Sequence, residues 1–583
     1  MNRYNVNLKL NKKGLKSLIK HLSTKEFSSK EVEKILRKYP KKEGGVFSKS
    51  QVLLAYKTLI KNKDLFLNKE QEEFFLLNIR MKKVRTLSGV VPVAVLTKPF
   101  PCPGRCIFCP NDVKMPKSYL SSEPGALRAL SNKFDPYLQT YNRLVALKNI
   151  GHTVQKIEII ILGGTWSSYP KSYQIWFIKR CFDALNDFNK DSSIIKKEMS
   201  YEEPLDVVKK QELPKEKTYN LAVSKKLLSN KKHQNQEKAT LKELMLAHKK
   251  NETAYARCVG LVIETRPDVV NKEEVIWLRT LGVTKVQIGV QSTSNKVLKL
   301  NKRDHLLETS EEAVNLLRRM GFKIHLHWMC NLYGSNPQKD KKDFKKLFTN
   351  INLRPDELKV YPCSLIEGTD LVRLYKKGLW KPYSKKDLLS VLRFSYLNTP
   401  RYCRISRMIR DIPSTDILVG NKETNFRQTV EGSILKSSLN TPVEIRSREV
   451  KDASFKHTAI KLKKTSYKTG VSTEYFLEYI LPNNKLLGFL RLSLPKGKEL
   501  VPELKDASII REVHVYGVAL SLSSVNKEVQ HLGLGKSLIQ EAEKISRDYN
   551  YKKICVISAI GTRGYYRKQG YKDGVLYQYK KLK

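Results

Sequence analysis

Between Val90 and Ser364 the chain repeats one pattern: a short apolar run, then a stretch with apolar residues at three- and four-residue spacing. The apolar runs are Val90–Thr97, Lys156–Gly164, Cys258–Thr265, Lys285–Ser292, Lys323–Met329 and Glu357–Ser364. Helical stretches such as Glu273–Gly282 and Ser310–Gly321 separate them. Strands this apolar, alternating with helices, dictate a parallel sheet covered on its faces. The expected fold is therefore α/β, a partial (β/α) barrel. Residues 186–250 break the pattern with Lys, Glu and Asn, and read as a partly disordered surface insertion.

At 583 residues the chain is too long for one core. Residues 1–85 read as a basic helical segment, with Leu10–Leu22, Ser28–Pro40 and Ser48–Lys61 as helices and Ser28 or Ser29 as a cap. The barrel domain is expected over 86–400 and a polar, Arg-rich connector over 401–450. From 451 the pattern turns antiparallel. Glu474–Pro482 and Lys485–Leu494 flank a turn at Asn483-Asn484, a hairpin signature. A strand over Ile509–Leu520, a helix over Gly535–Tyr549 and a strand over Lys552–Ala559 complete an α+β domain, 451–583.

An apolar content of 40% with 9% aromatics excludes general disorder. No apolar run is long enough to span a bilayer, and the N-terminus lacks a signal peptide's apolar core, so a soluble, cytoplasmic protein with no membrane partner is expected. Lys and Arg number 109 against 57 Asp and Glu, a net charge of +52. So large an excess repels itself unless a polyphosphate neutralises it, which points to nucleic acid. Nine cysteines, an odd count, argue against a disulfide framework.

Three of those cysteines, Cys102, Cys106 and Cys109, fall within eight residues in the spacing C-x3-C-x2-C. Three thiolates can hold three irons of a 4Fe-4S cubane and leave the fourth iron open. Zinc is the competing metal, but a structural zinc takes a fourth close ligand and no His or Cys follows nearby, so zinc is not expected. Downstream, Gly163-Gly164-Thr165 ends a strand where backbone can approach a ligand closely. Glu264 and Arg266, in the string ETRPD, and Gln291 sit at further strand ends, where barrel sites form. Near the C-terminus, Gln530-His531-Leu532-Gly533-Leu534-Gly535-Lys536 precedes a helix. Its free N–H groups and the helix N-terminus suit a pyrophosphate.

The cysteine loop on an opening barrel strand resembles the radical S-adenosylmethionine (SAM) enzymes, whose open iron chelates SAM. The glycine loop, with Tyr565 to Tyr571, resembles the GNAT acetyltransferases, whose tyrosine (here Tyr566) faces the CoA thioester. Joined, these strings and SSEPGALRALSNKFDPYLQ, GLVIETRPD, VQIGVQS and REVHVYG resemble the catalytic subunit of Elongator and its stand-alone archaeal and bacterial relatives, the tRNA uridine carboxymethyl synthases. The likeness runs over most of residues 30–583, outside 190–245. It implies a transferase in which a deoxyadenosyl radical takes hydrogen from the acetyl methyl group of acetyl-CoA, and the carbon joins carbon five of the wobble uridine. It implies Cys102, Cys106 and Cys109 as cluster ligands, and Gly163, Gly164, Thr165, Glu264, Arg266 and Gln291 beside SAM. It implies acetyl-CoA contacts from Glu512, Val513, His514, Val515, Leu534, Gly535, Lys536 and Tyr566, with Lys156 tied to acetyl-CoA use. The partner is then tRNA through its anticodon stem-loop, with accessory subunits or a homodimer compatible. The N-terminal helices and Arg401, Arg404, Arg407 and Arg410 are expected to hold phosphates. Cys330 and Tyr333 stand where relatives usually carry prolines, and NTPVEIRSREV holds no cysteine where many relatives carry them, just before the string Arg446–Val450. A protein lysine acetyltransferase with a structural cluster and a non-catalytic tRNA-binding scaffold are the competing readings. The intact GGT and ETRPD strings count against the first, and the three cysteines kept together with Tyr566 against the second.

Overall fold

In the computed structural model of the chain, residues 7–80, 88–189, 216–229, 237–423, 425–435, 441–450, 460–516 and 533–582 are described. They form two compact units. One comprises Met1–Val91 with Tyr141–Lys156, the other Pro92–Thr140 with Ile157–Lys583. Residues 141–156, expected in the barrel domain, thus belong with the N-terminal helices.

The N-terminal unit is built on α1 (Leu8–Leu22), α2 (Ser29–Lys38), α3 (Lys49–Lys61) and α4 (Lys69–Ile79). Ser28 caps α2: its hydroxyl accepts from the Glu31 N–H while the Glu31 carboxylate accepts from the Ser28 N–H. The same box recurs at Ser48/Gln51 and Asn68/Gln71, so three of the four helices start on an identical device. Leu15, Leu18, Ile19, Val32, Ile35, Phe47, Val52 and Phe75 form the core. Lys13, Lys20, Lys34, Arg37 and Lys38 stay exposed on the opposite faces.

In the second unit, but for the first residues of β1 and β2, the strands β1 (Val91–Leu96), β2 (Lys156–Leu162), β3 (Arg257–Thr265), β4 (Lys285–Gln291), β5 (Lys323–Cys330), β6 (Glu357–Pro362) and β8 (Arg404–Arg407) form a half-barrel sheet in that order. Pairing from β3 to β8 is parallel. β7 (Leu365–Ile366) pairs apart with β9 (Ile417–Val419). Residues 401–450 are therefore not a connector throughout, because β8 closes the sheet. The strands are also less uniformly apolar than the sequence suggested. One face carries Val286, Ile288, Val290, Ile324, Leu326, Trp328, Leu358 and Val360, all fully buried. The alternate residues, Lys285, Gln287, His325, His327, Glu357 and Lys359, are polar and line the inner face.

A second sheet follows in the order β10 (Lys461–Lys468), β11 (Ser472–Ile480), β12 (Leu486–Pro495), β13 (Ala507–Val515), β14 (Lys553–Val556), β16 (Gln578–Lys581) and β15 (Lys572–Asp573). Only β13 and β14 pair in parallel, joined through the helix Leu534–Asp548. Leu490, Leu492 and Ile510 pack against Leu538, Ile539 and Ala542 of that helix. Buried charge ties this sheet to the barrel. Arg511 makes two 2.7 Å bonds to Asp356 and one of 2.8 Å to Glu474. Glu512 pairs with Lys323 and, at 2.8 Å, with Arg491. Lys323 and Lys285 both reach Glu357, and Lys285 also reaches Glu158 at 2.7 Å.

The connector arginines take up internal roles. Arg401 pairs with Glu478, Arg404 with Glu449 at 2.8 Å and Arg410 with Glu123 at 2.6 Å. Only Arg407, paired with Asp411, keeps a half-exposed side chain. These side chains hold carboxylates of their own chain, not a free phosphate-binding strip. Among the described residues no helix is long and apolar enough to cross a membrane.

Candidate active site

β1 delivers the chain into the cysteine loop, which is pinned from two sides. The Ile107 N–H donates to the Asn301 carbonyl at 3.3 Å, and the Ile107 carbonyl accepts from the Leu371 N–H at 3.0 Å. Cys106 is buried, while Cys102 and Cys109 are partly exposed. Hydrogen bonding to Cys109 and the nearby cations Arg303 and Arg266 hold the Cys106 thiol well below its usual range, although burial opposes them. The same Cys106–Cys109 bond, with burial, pushes Cys109 up. Arg303 Nη1 stands 3.1 Å and Arg266 Nη1 3.8 Å from Cys106 Sγ.

The two guanidinium groups are themselves fixed. Arg303 donates to the Gly289 carbonyl at 2.6 Å, and Arg266 to Asp268 and to the Arg303 carbonyl. Gly104 leaves room for Arg266, since a Cβ there would lie 1.9 Å from Arg266 Nη1. Cys102 Sγ lies 3.7 Å from Thr165 Oγ1. Among the described residues, no three His, Cys, Asp or Glu side chains converge closely enough to hold a metal ion by themselves. The donor set nevertheless fits an iron–sulfur cluster: three thiols on one short loop, with two fixed cations to balance thiolate charge.

The glycine pair sits beside this loop. Gly163 has φ +137° and Gly164 φ +60°, both in the region that favours glycine. A Cβ on Gly163 would fall 1.9 Å from Thr97 Oγ1. That hydroxyl bonds the Tyr169 hydroxyl at 2.7 Å, which also reaches the Gly163 carbonyl. Glu264, at the end of β3, accepts from the Tyr119 hydroxyl at 3.0 Å and lies 3.5 Å from His327 Nδ1. Gln291 ends β4 with φ +66°, and its buried amide oxygen accepts no hydrogen bond among the described residues. Arg266, expected as a cofactor contact, is engaged by Asp268 and the cysteine loop.

The sequence reading missed Arg303, Gln287, His327 and Lys359. His327 Nε2 lies 2.9 Å from Gln287 Oε1, which also accepts from Lys359. Burial, then Lys359, pushes the His327 pKa well down, which favours the neutral ring. The alternation in KVQIGVQ, KIHLHWM and ELKVYP was the available signal for Gln287, His327 and Lys359; Arg303 lies in none of these strands.

On the second sheet Glu512 is bound into the ion network, and the His514 ring stacks on Phe489 with centroids 5.8 Å apart. Val513 and Val515 follow the same strand, β13. Gly533, with φ +58°, precedes the helix that Leu534, Gly535 and Lys536 open. Gly535 faces Tyr565, whose hydroxyl oxygen would lie 2.8 Å from a Cβ there. Tyr566 is buried between Tyr565 and Tyr571, and burial pushes its hydroxyl pKa up. Gln530, His531 and Leu532 lie outside the described residues. Lys156 is exposed and opens β2, at the strand end opposite Gly163.

These features have counterparts in known proteins. The chain is 37% identical over 580 residues, 94% of its length and 98% of the relative's, to a protein of Methanocaldococcus infernus named tRNA uridine(34) acetyltransferase. It belongs to that family. The family extends to Elongator complex protein 3 of Mus musculus, 33% identical across 87% of this chain and 86% of the mouse protein. This family member also matches the models described as Radical SAM superfamily over 193–347, Radical_SAM C-terminal domain over 355–436 and Acetyltransferase (GNAT) family over 446–571. The solved structure of the archaeal Methanocaldococcus infernus Elp3 with an N-terminal deletion is 34% identical, with a TM-score of 0.66. It covers 85% of this family member and all of that chain.

Proposed function

We propose that the chain modifies the wobble uridine of tRNA, using SAM, a 4Fe-4S cluster and acetyl-CoA to place a carboxymethyl group on carbon five. The observation that carries the proposal is the polar inner face of the half-barrel. It runs from the arginine-flanked cysteine loop at the carboxyl ends of the strands to the GNAT sheet at their amino ends, where Lys323 meets Glu512. One polar face thus borders both candidate sites.

When bound, the cluster and SAM together supply one-electron chemistry able to remove hydrogen from an unactivated carbon. Cys102, Cys106 and Cys109 hold the cluster, and Arg303 and Arg266 balance its thiolates. Gly163, Gly164, Thr165, Glu264 and Gln291 border the SAM position. The N–H groups at Leu534–Lys536 take the CoA pyrophosphate and Tyr566 faces the thioester. The inner wall of Gln287, His327 and Lys359 excludes bulk water and offers directed hydrogen bonds to a flat polar base. An anticodon loop presents such a base unstacked. On the N-terminal unit, the exposed lysines of α1 and α2 suit nucleic-acid phosphates.

Anaerobically reconstituted protein given SAM, dithionite, methyl-labelled acetyl-CoA and unmodified tRNA is expected to yield labelled carboxymethylated uridine at the wobble position. The Cys106→Ala variant should yield none. Deoxyadenosine release without labelled uridine would overturn the assigned product.

A further inference from the structure

The inserted stretch before β3, which the sequence presents as surface decoration, grips the cysteine loop. Its helix Glu216–Ser229 buries Tyr219 completely, and the Tyr219 hydroxyl donates to the Met115 carbonyl at 2.9 Å. The Lys117 ammonium lies 5.0 Å from the centre of that ring. Further along the insertion, Glu237 pairs with Lys98, the side chains 10% and 17% exposed. The insertion therefore holds the chain just before the first cysteine and again beyond the third.

Between those anchors, Asn220 reaches Cys102 itself. Its side-chain oxygen accepts from the Cys102 N–H at 3.0 Å, and its amide nitrogen donates to the Cys102 carbonyl at 3.0 Å. A primary amide that satisfies both backbone groups of one residue restrains that residue's φ and ψ together. Cys106 is held by burial and by Arg303, and Cys109 by its N–H bond to the Cys106 carbonyl at 3.2 Å. Cys102 is partly exposed, and both of its backbone groups are met by Asn220.

We propose that Asn220 is a positioning residue that fixes the first thiolate donor, making the insertion part of the cluster site. This rests on the functional reading above, in which Cys102 is a cluster ligand. Hydrogen bonds that orient a metal's ligands typically govern metal affinity by ten- to a hundredfold.

The test uses the full chain, reconstituted anaerobically with iron and sulfide. The Asn220→Ala variant is expected to lose iron to a chelator roughly tenfold faster than the wild type. Asn220→Asp, which keeps the acceptor for the Cys102 N–H but not the donor, should fall between them. Lys225→Ala, on the exposed surface of the same helix, should match the wild type. In cluster-free protein, iodoacetamide should label Cys102 several-fold faster in Asn220→Ala, with Cys106 labelling unchanged. Wild-type behaviour of Asn220→Ala in both measurements would overturn the proposal. Should Asn220→Ala fail to fold by circular dichroism, Asn220→Asp carries the same two tests. A wild-type chain that assembles no cluster would sink the functional reading, while Cys102 labelling would still judge the bracket.

Discussion

Gly163 and Gly104 are the residues on which the loop's geometry turns. Each lacks space for a single methyl group, and at Gly163 the backbone conformation is also closed to other residues. Gly163→Ala should destabilise the cluster-free chain by about 2–3 kcal/mol, through strain and the clash with Thr97. A urea titration checks this, and a change under about 0.5 kcal/mol would contradict it. Gly104→Ala should displace Arg266 from Cys106 and lower the iron bound per chain after reconstitution. The cysteines were legible from sequence because a metal fixes their spacing, and the glycines because a strand ends on them. Arg303 was not: its string NKRDHL has no strand signal, and only tertiary structure brings it to Cys106. Gln287, His327 and Lys359 were hidden by strands that read as apolar throughout, although each strand alternates.

The half-barrel strands β1 to β6 and the β11–β12 hairpin follow the sequence reading closely, since apolar runs bounded by turn residues leave little choice. β8 and β10 escaped it. β8 is four residues long with arginine at both ends, and β10, KLKKTSYK, is an edge strand with no buried residue. The helix Glu216–Ser229 fell within a stretch read as a partly disordered surface insertion, because among its residues of described burial Tyr219 and Val223 are the buried ones. At the helix Leu534–Asp548, the tight fit of Gly535 against Tyr565 makes a further prediction. Gly535→Ala should push the Tyr565 hydroxyl aside and weaken acetyl-CoA binding roughly tenfold, the order expected for an overpacked contact. Isothermal titration with acetyl-CoA reads this directly, and unchanged affinity would remove the helix start from the site.

Across the whole molecule, charge does two separate jobs. On the N-terminal unit it is exposed. Replacing Lys34, Arg37 and Lys38 together by alanine should lower the slope of log affinity for tRNA against log salt by up to about three. Binding measured at several salt concentrations tests this, and an unchanged slope would free α2 of any phosphate contact. Between barrel and GNAT sheet the charge is buried. Burial would raise the Asp356 carboxyl, but Arg511 and then Arg491 reverse this and hold it below its usual value. Because the folded value lies under the unfolded one, these pairs stabilise fully above about pH 4 and are lost as pH falls further. Asp356→Asn leaves Arg511 with Glu474 alone and Arg491 with Glu512 alone, and should cost about 3 kcal/mol at neutral pH. The gap from wild type should narrow below about pH 4, and urea midpoints against pH would show it.

Asp356 and the arginines it holds lie more than a hundred residues apart, on opposite sides of the boundary between barrel and GNAT sheet. Exchanging only the GNAT half for one that lacks Arg491 and Arg511 would leave the Asp356 carboxylate buried with no counter-ion. The two halves are therefore bound to change together at these positions, since a substitution on one side asks for an answering one on the other.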